Sequence, residues 1–167
     1  LDFSDGVKYE RVDFGFDALG YNEVIINTGK GHADLSAEYS SIPNEMRLVA
    51  KEMGAYNLCD TDEATLLANL PAIRAKLGND RAIMRALHYF EECGRVERAA
   101  EELENGNTEE VLRMIDESGH SSWEWLQNVY CINDPGEQSI SLALALTKLF
   151  ISKIGTGVCR IHGGGFA

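Results

Sequence analysis

The stretch from Asn79 to Glu104 constrains this chain most. It runs without a proline between two sets of turn signals. Asn79 or Asp80 supplies a helix start, and Asn105-Gly106 supplies a stop. Ile83, Leu87, Phe90, Gly94, Val96 and Ala100 recur at helical spacing between them. A helix of this length needs other elements to cover its apolar stripe.

The flanking sequence adds more helices. Asp34 or Ser36 opens one carrying Met46, Leu48, Val49 and Met53, with Pro43 expected to kink or restart it. Thr61-Asp62-Glu63 opens another toward Leu70, and Pro71 fits the first turn of a further short helix. Thr108 to Gly119 and Asn133 to Lys153 complete the set. Strand signals sit at the two ends. Val7 to Phe14 alternates apolar and polar, Tyr21 to Thr28 holds Val24-Ile25-Ile26, and Gly157 to Ile161 forms a short apolar run. The order strand, strand, helices, strand predicts an α+β fold, a small mostly antiparallel sheet covered by several helices.

The 167 residues are 44% hydrophobic and 25% charged, which fits a single soluble globular domain, 1–167. A net charge of −12 argues against nucleic acid and against an anionic membrane surface. No stretch is apolar enough to span a bilayer. Cys59, Cys93, Cys131 and Cys159 are widely spaced, so they read as free thiols of a cytoplasmic protein, and no metal site is expected.

Two segments carry candidate chemistry. Asn27 to Tyr39 joins an apolar run to a helix and is dense in polar groups. Such loops often hold ligand groups, although an ordinary surface loop with a part-buried tyrosine fits the spacing at least as well. Gly163-Gly164-Gly165 follows the last apolar run. A triple glycine is either slack or a place where backbone approaches a phosphate or another backbone closely. No Walker lysine accompanies it. Glu91 and Arg95, four apart, read as a helix-surface ion pair, and His88 and His120 as structural histidines.

Three blocks in order resemble the C-terminal part of galactokinases, within the GHMP family of small-molecule kinases. The first is Ile26-Asn27-Thr28 through His32 to Glu38-Tyr39. The second is Arg85 and His88 through Glu92, Arg95 and Ala99, followed by Met114-Ile115-Asp116-Glu117-Ser118. The third is Arg160-Ile161-His162-Gly163-Gly164-Gly165-Phe166. The chain departs from the pattern at Ser40-Ser41-Ile42-Pro43-Asn44, where the family carries arginines, at His162, and at Gly119.

The resemblance implies the C-terminal domain of a longer two-domain kinase, with a sheet of ferredoxin-like type. It implies transfer of the ATP γ-phosphate to the anomeric hydroxyl of galactose or a related sugar, with Mg²⁺. Tyr39 would face the sugar, and Gly163, Gly164 and Gly165 would support the phosphate loop of the other domain. Catalytic residues are expected in the N-terminal half of the same kinase, so neither catalysis nor tight ATP binding is expected of residues 1–167 alone. Two alternatives stay open: another GHMP acceptor such as mevalonate or homoserine, and a non-catalytic sugar sensor or interaction module.

Overall fold

The structure is a computed structural model that describes residues 1, 6–29, 31 and 35–166. Lys30, His32 and Asp34 of the first block lie outside the described residues. Five helices dominate: α1 (Ser36–Glu52), α2 (Glu63–Leu77), α3 (Asp80–Glu104), α4 (Thr108–Ser121) and α5 (Ser139–Ile154).

The helix boundaries follow local chemistry. The Asp62 carboxylate caps α2 by accepting from the Thr65 N–H at 2.7 Å. Gly78 ends α2 in the left-handed conformation, at φ 58°. Asn79 immediately caps α3, accepting from the Ala82 N–H at 3.1 Å. Arg74 and Asp80 pair across this turn at 2.7 Å.

Neither proline breaks its helix: α1 runs through Pro43 and α2 through Pro71. An interior proline costs about 3 kcal/mol. Burial on the C-terminal side of each offsets this cost, through Val49 and Ala50 in α1 and Ile73 in α2. The short helix expected to begin at Pro71 is therefore the second half of α2.

The principal core lies between α1, α2 and α3. Val49, Ala50, Leu66, Ile73, Ala82, Ile83 and Ala86 meet there, joined by Leu58 from a short 3-10 turn (Leu58–Asp60). Helix α4 packs on α3 and buries Val111, Met114, Ser118 and Gly119. A π-helical turn, Ser122–Leu126, follows α4 directly. A second, smaller cluster joins Val129, Ile140, Leu144 and Ile161, with Trp123, Tyr130 and Cys159 packed on it.

The expected α+β fold is overturned. The described residues are 63% helical with about 1% strand, and no sheet forms among them. Residues 7–14, 21–28 and 157–161 form no strand; only isolated bridges occur, at Gly6 and Lys8. A strand is held by the ladder it shares with a neighbour. Val24 and Ile25 are each 74% exposed, so this β-branched run packs on nothing that would pair it. The alternation reads side-chain polarity correctly, and polarity alone does not supply a partner.

Candidate functional site

The structure brings Tyr39, Gly164 and Gly165 together across 126 residues of sequence. Tyr39 lies in the first turns of α1, and its hydroxyl donates to the Gly165 carbonyl at 2.6 Å. Its ring meets Phe166 edge-on, with centroids 5.5 Å apart. Pro43 removes the N–H that an α-helix would aim at the Tyr39 carbonyl.

The other side of the loop is fastened by Asn128, which is 2% exposed. The Asn128 side-chain amide donates to the Gly164 carbonyl at 3.2 Å, and the Asn128 backbone carbonyl accepts from the Phe166 N–H at 2.7 Å.

The glycines are required by this clamp. A Cβ on Gly165 would fall 2.1 Å from the Asn128 carbonyl oxygen. A Cβ on Gly164 would fall 2.7 Å from the Tyr39 ring. Gly163 and Gly165 also hold φ values of +68° and +82°, conformations that favour glycine. Gly163 and Gly164 are exposed, and their N–H groups carry no hydrogen bond among the described residues. Bare N–H groups at the surface suit an anionic oxygen.

Sequence reasoning missed a polar network behind this loop. Arg85, His88, Glu92 and Arg95 project from one side of α3, and three of them are nearly inaccessible: Arg85 at 1%, His88 at 7% and Arg95 at 7%. Arg95 was expected to pair with Glu91 at the surface. It is buried instead, hydrogen-bonded to Glu92, with Glu91 at 3.8 Å and Glu117 at 3.9 Å. Glu92 also accepts from the Ser118 hydroxyl and from Arg160 at 3.3 Å. Arg160 donates to Ser118 at 2.5 Å. Helix α3, helix α4 and the strip leading into the glycines thus share one carboxylate.

The charges are tuned accordingly. Burial works to raise the Glu92 pKa, but the Ser118 hydrogen bond and the Arg160 and Arg95 charges outweigh it, holding the carboxyl below its ordinary value. Burial pushes the His88 pKa down, against the opposing pull of Glu92. His88 Nδ1 meets the Ser121 hydroxyl at 2.8 Å, so the ring bonds α3 to α4.

Gly119 belongs to the same junction. A Cβ there would lie 3.1 Å from both the Arg160 Cβ and the Cys159 carbonyl oxygen. The departure at position 119 therefore lets the Cys159–Arg160 backbone rest on α4. The signal for the network was available in the spacing. Positions 85, 88, 92 and 95 follow the i, i+3, i+7, i+10 rhythm of a core-facing stripe, written in polar residues.

The chain is similar to a galactokinase over most of its length. The galactokinase of Actinobacillus pleuropneumoniae serotype 3 (strain JL03) is 29% identical over 147 residues, covering 88% of this chain and 35% of that protein. The chain thus spans about a third of the length of that relative. No family model matches it. Among the described residues, no helix is long and apolar enough to cross a membrane.

Proposed function

We infer that this chain is the C-terminal region of a galactokinase-like sugar kinase, which phosphorylates the anomeric hydroxyl of galactose or a related sugar using ATP. The observation that carries the reading is the clamp: Tyr39 and Gly164-Gly165, remote in sequence, share one hydrogen bond and one packed contact. The likeness to a galactokinase supports the same reading.

In this reading Tyr39 presents its ring edge to the sugar, with the phenol oriented by Gly165. Gly163 and Gly164 offer N–H groups to the phosphate-binding loop of the N-terminal half. Their lack of side chains lets that loop approach. When bound, ATP with Mg²⁺ supplies the phosphoryl group and neutralises charge developing on it. No group of three metal-ligating side chains converges among the described residues. In this reading the chain holds positioning roles, and catalysis belongs to the N-terminal half. The Glu92–Arg95–Ser118–Arg160 network fixes the strip from which the glycine loop springs.

The test is ATP-dependent phosphorylation by the full-length protein across a panel of galactose, glucose, mevalonate and homoserine. Turnover on galactose with a 1-phosphate product supports the reading. Turnover only on mevalonate or homoserine moves the protein to another GHMP acceptor. Sugar binding without ATP consumption identifies a sensor.

A further inference from the structure

Helix α5 is apolar on two sides, and residues 1–167 cover one of them. On the inner side Ile140 and Leu144 are buried and pack with Val129 and Ile161. On the outer side Leu142, Leu146, Leu149 and Phe150 recur at i, i+4, i+7 and i+8 and are each 58–61% exposed. That spacing sets the four side chains within about 100° of helix surface, the width of a core-facing stripe. The only charged residues of α5 are Lys148 and Lys153. Lys148 is engaged with His120 of α4, Nζ to Nε2 at 3.0 Å.

The open surface is large. At these exposures the four side chains present roughly 400 Å² of apolar area, the size at which a patch marks an interaction site. A second open run, Val24-Ile25-Ile26, lies on the segment whose Tyr21 hydroxyl meets the Thr156 hydroxyl at 3.4 Å. Thr156 follows the end of α5 by two residues, so this second run starts beside the C-terminal end of the helix.

Three considerations select what covers it. The galactokinase relative extends well beyond the matched region, which is 35% of it. In the sugar-kinase reading, most of the polypeptide therefore lies outside residues 1–167. A second copy of this chain is disfavoured by charge, since a net −12 on each makes two copies repel. A surface of the same polypeptide is already tethered, and it avoids the loss of translational freedom that a separate partner suffers on binding.

We propose that the outer face of α5, with Val24-Ile25-Ile26, is covered by an apolar surface of the same polypeptide outside residues 1–167. This rests on the reading of the chain as one region of a longer kinase. In residues 1–167 alone the face lies open, and trimming a leucine from it costs little. In the full-length protein the same leucines are core residues.

Thiol labelling of full-length Leu146→Cys and Leu149→Cys tests this, with each site read by peptide mass mapping. Both introduced thiols react at least about thirtyfold more slowly in the native protein than in denaturant. The protection is the same from about 0.5 to about 50 μM protein, because a tethered cover does not dissociate on dilution. Protection that disappears on dilution assigns the face to a second copy, and rates within about threefold of the denatured ones leave it open. Either result overturns the inference. Should neither variant fold, hydroxyl-radical footprinting of the wild type reads Phe150 directly. Its modification falls at least about tenfold from unfolded to native protein, and equal modification overturns the inference. No ATP or sugar enters these measurements. An open face leaves the kinase reading standing, and an absence of galactose phosphorylation leaves the cover standing.

Discussion

At the residue scale, the glycine run is three different positions. Gly165 is pinned between the Asn128 carbonyl oxygen, 2.1 Å from where a Cβ would sit, and a φ of +82°. Gly163 shares the positive φ but opens onto free space. Gly165→Ala is therefore expected to cost about 2–4 kcal/mol, and Gly163→Ala about 1 kcal/mol. Thermal unfolding of the two variants checks the ordering. His88 gives a second prediction at this scale. Its pKa is below 6.5 in the folded chain because of burial, so the folded state binds its proton less readily than the unfolded state. The stability it contributes is fully present above pH 6.5 and is lost as pH falls below that value toward the folded pKa. Melting temperatures between pH 7.5 and pH 5.5 should fall for the wild type and stay flatter for His88→Gln. Glu45 and Glu92 do not confuse this window. Their lowered pKa values give stability that is present above 4.5 and lost only in stronger acid.

At the element scale, α3 organises the molecule by presenting two kinds of buried surface. Ala82, Ile83 and Ala86 face the apolar core, while Arg85, His88 and Arg95 face a polar network. Removing Glu92 takes from Arg95, which is 7% exposed, its hydrogen-bonded carboxylate and leaves it only the longer contacts to Glu91 and Glu117; it also takes the ion pair from Arg160. Glu92→Ala is expected to destabilise by about 2–4 kcal/mol, beyond the cost of an exposed ion pair. Chemical denaturation reads this directly. The apolar side offers a contrast. Leu66 is fully buried, whereas Leu146 on α5 is 58% exposed. Leu66→Ala should cost about 2–5 kcal/mol and Leu146→Ala about 0.5 kcal/mol or less. Equal costs would show that the outer face of α5 is covered.

Much of this element level was legible in advance. Asp62, Asn79, Gly78 and Asn105-Gly106 mark helix ends by short-range chemistry, and short-range chemistry is what a sequence displays. The strands expected at 7–14 and 24–26 do not form, because alternation and a β-branched run record polarity while pairing depends on a distant partner. Arg95 was read as a surface residue because charge usually means exposure. Only its core-like spacing from Arg85, His88 and Glu92 argued otherwise.

At the scale of the whole molecule, the fold joins two segments 126 residues apart. The first turns of α1 deliver Tyr39, and the strip from Arg160 delivers the glycine loop. The α3–α4 pair is the bracket that holds the strip. Nothing in residue spacing could have announced the contact between positions 39 and 165; the family resemblance gave Tyr39 a role toward the sugar and the glycines a role toward a phosphate loop, without bringing them into contact. The kinase reading makes both ends parts of one site, so disabling either should produce the same defect. The most direct measurement is ATP-dependent phosphorylation of galactose by the full-length protein, comparing wild type with Tyr39→Phe, Gly164→Ala and the double variant. The account predicts galactose 1-phosphate from the wild type and about a tenfold or greater loss of kcat/KM in each single variant. It predicts that the double variant is little worse than the poorer single, because both loosen the same clamp. A wild type that phosphorylates no sugar, or single variants that match it, would contradict the account.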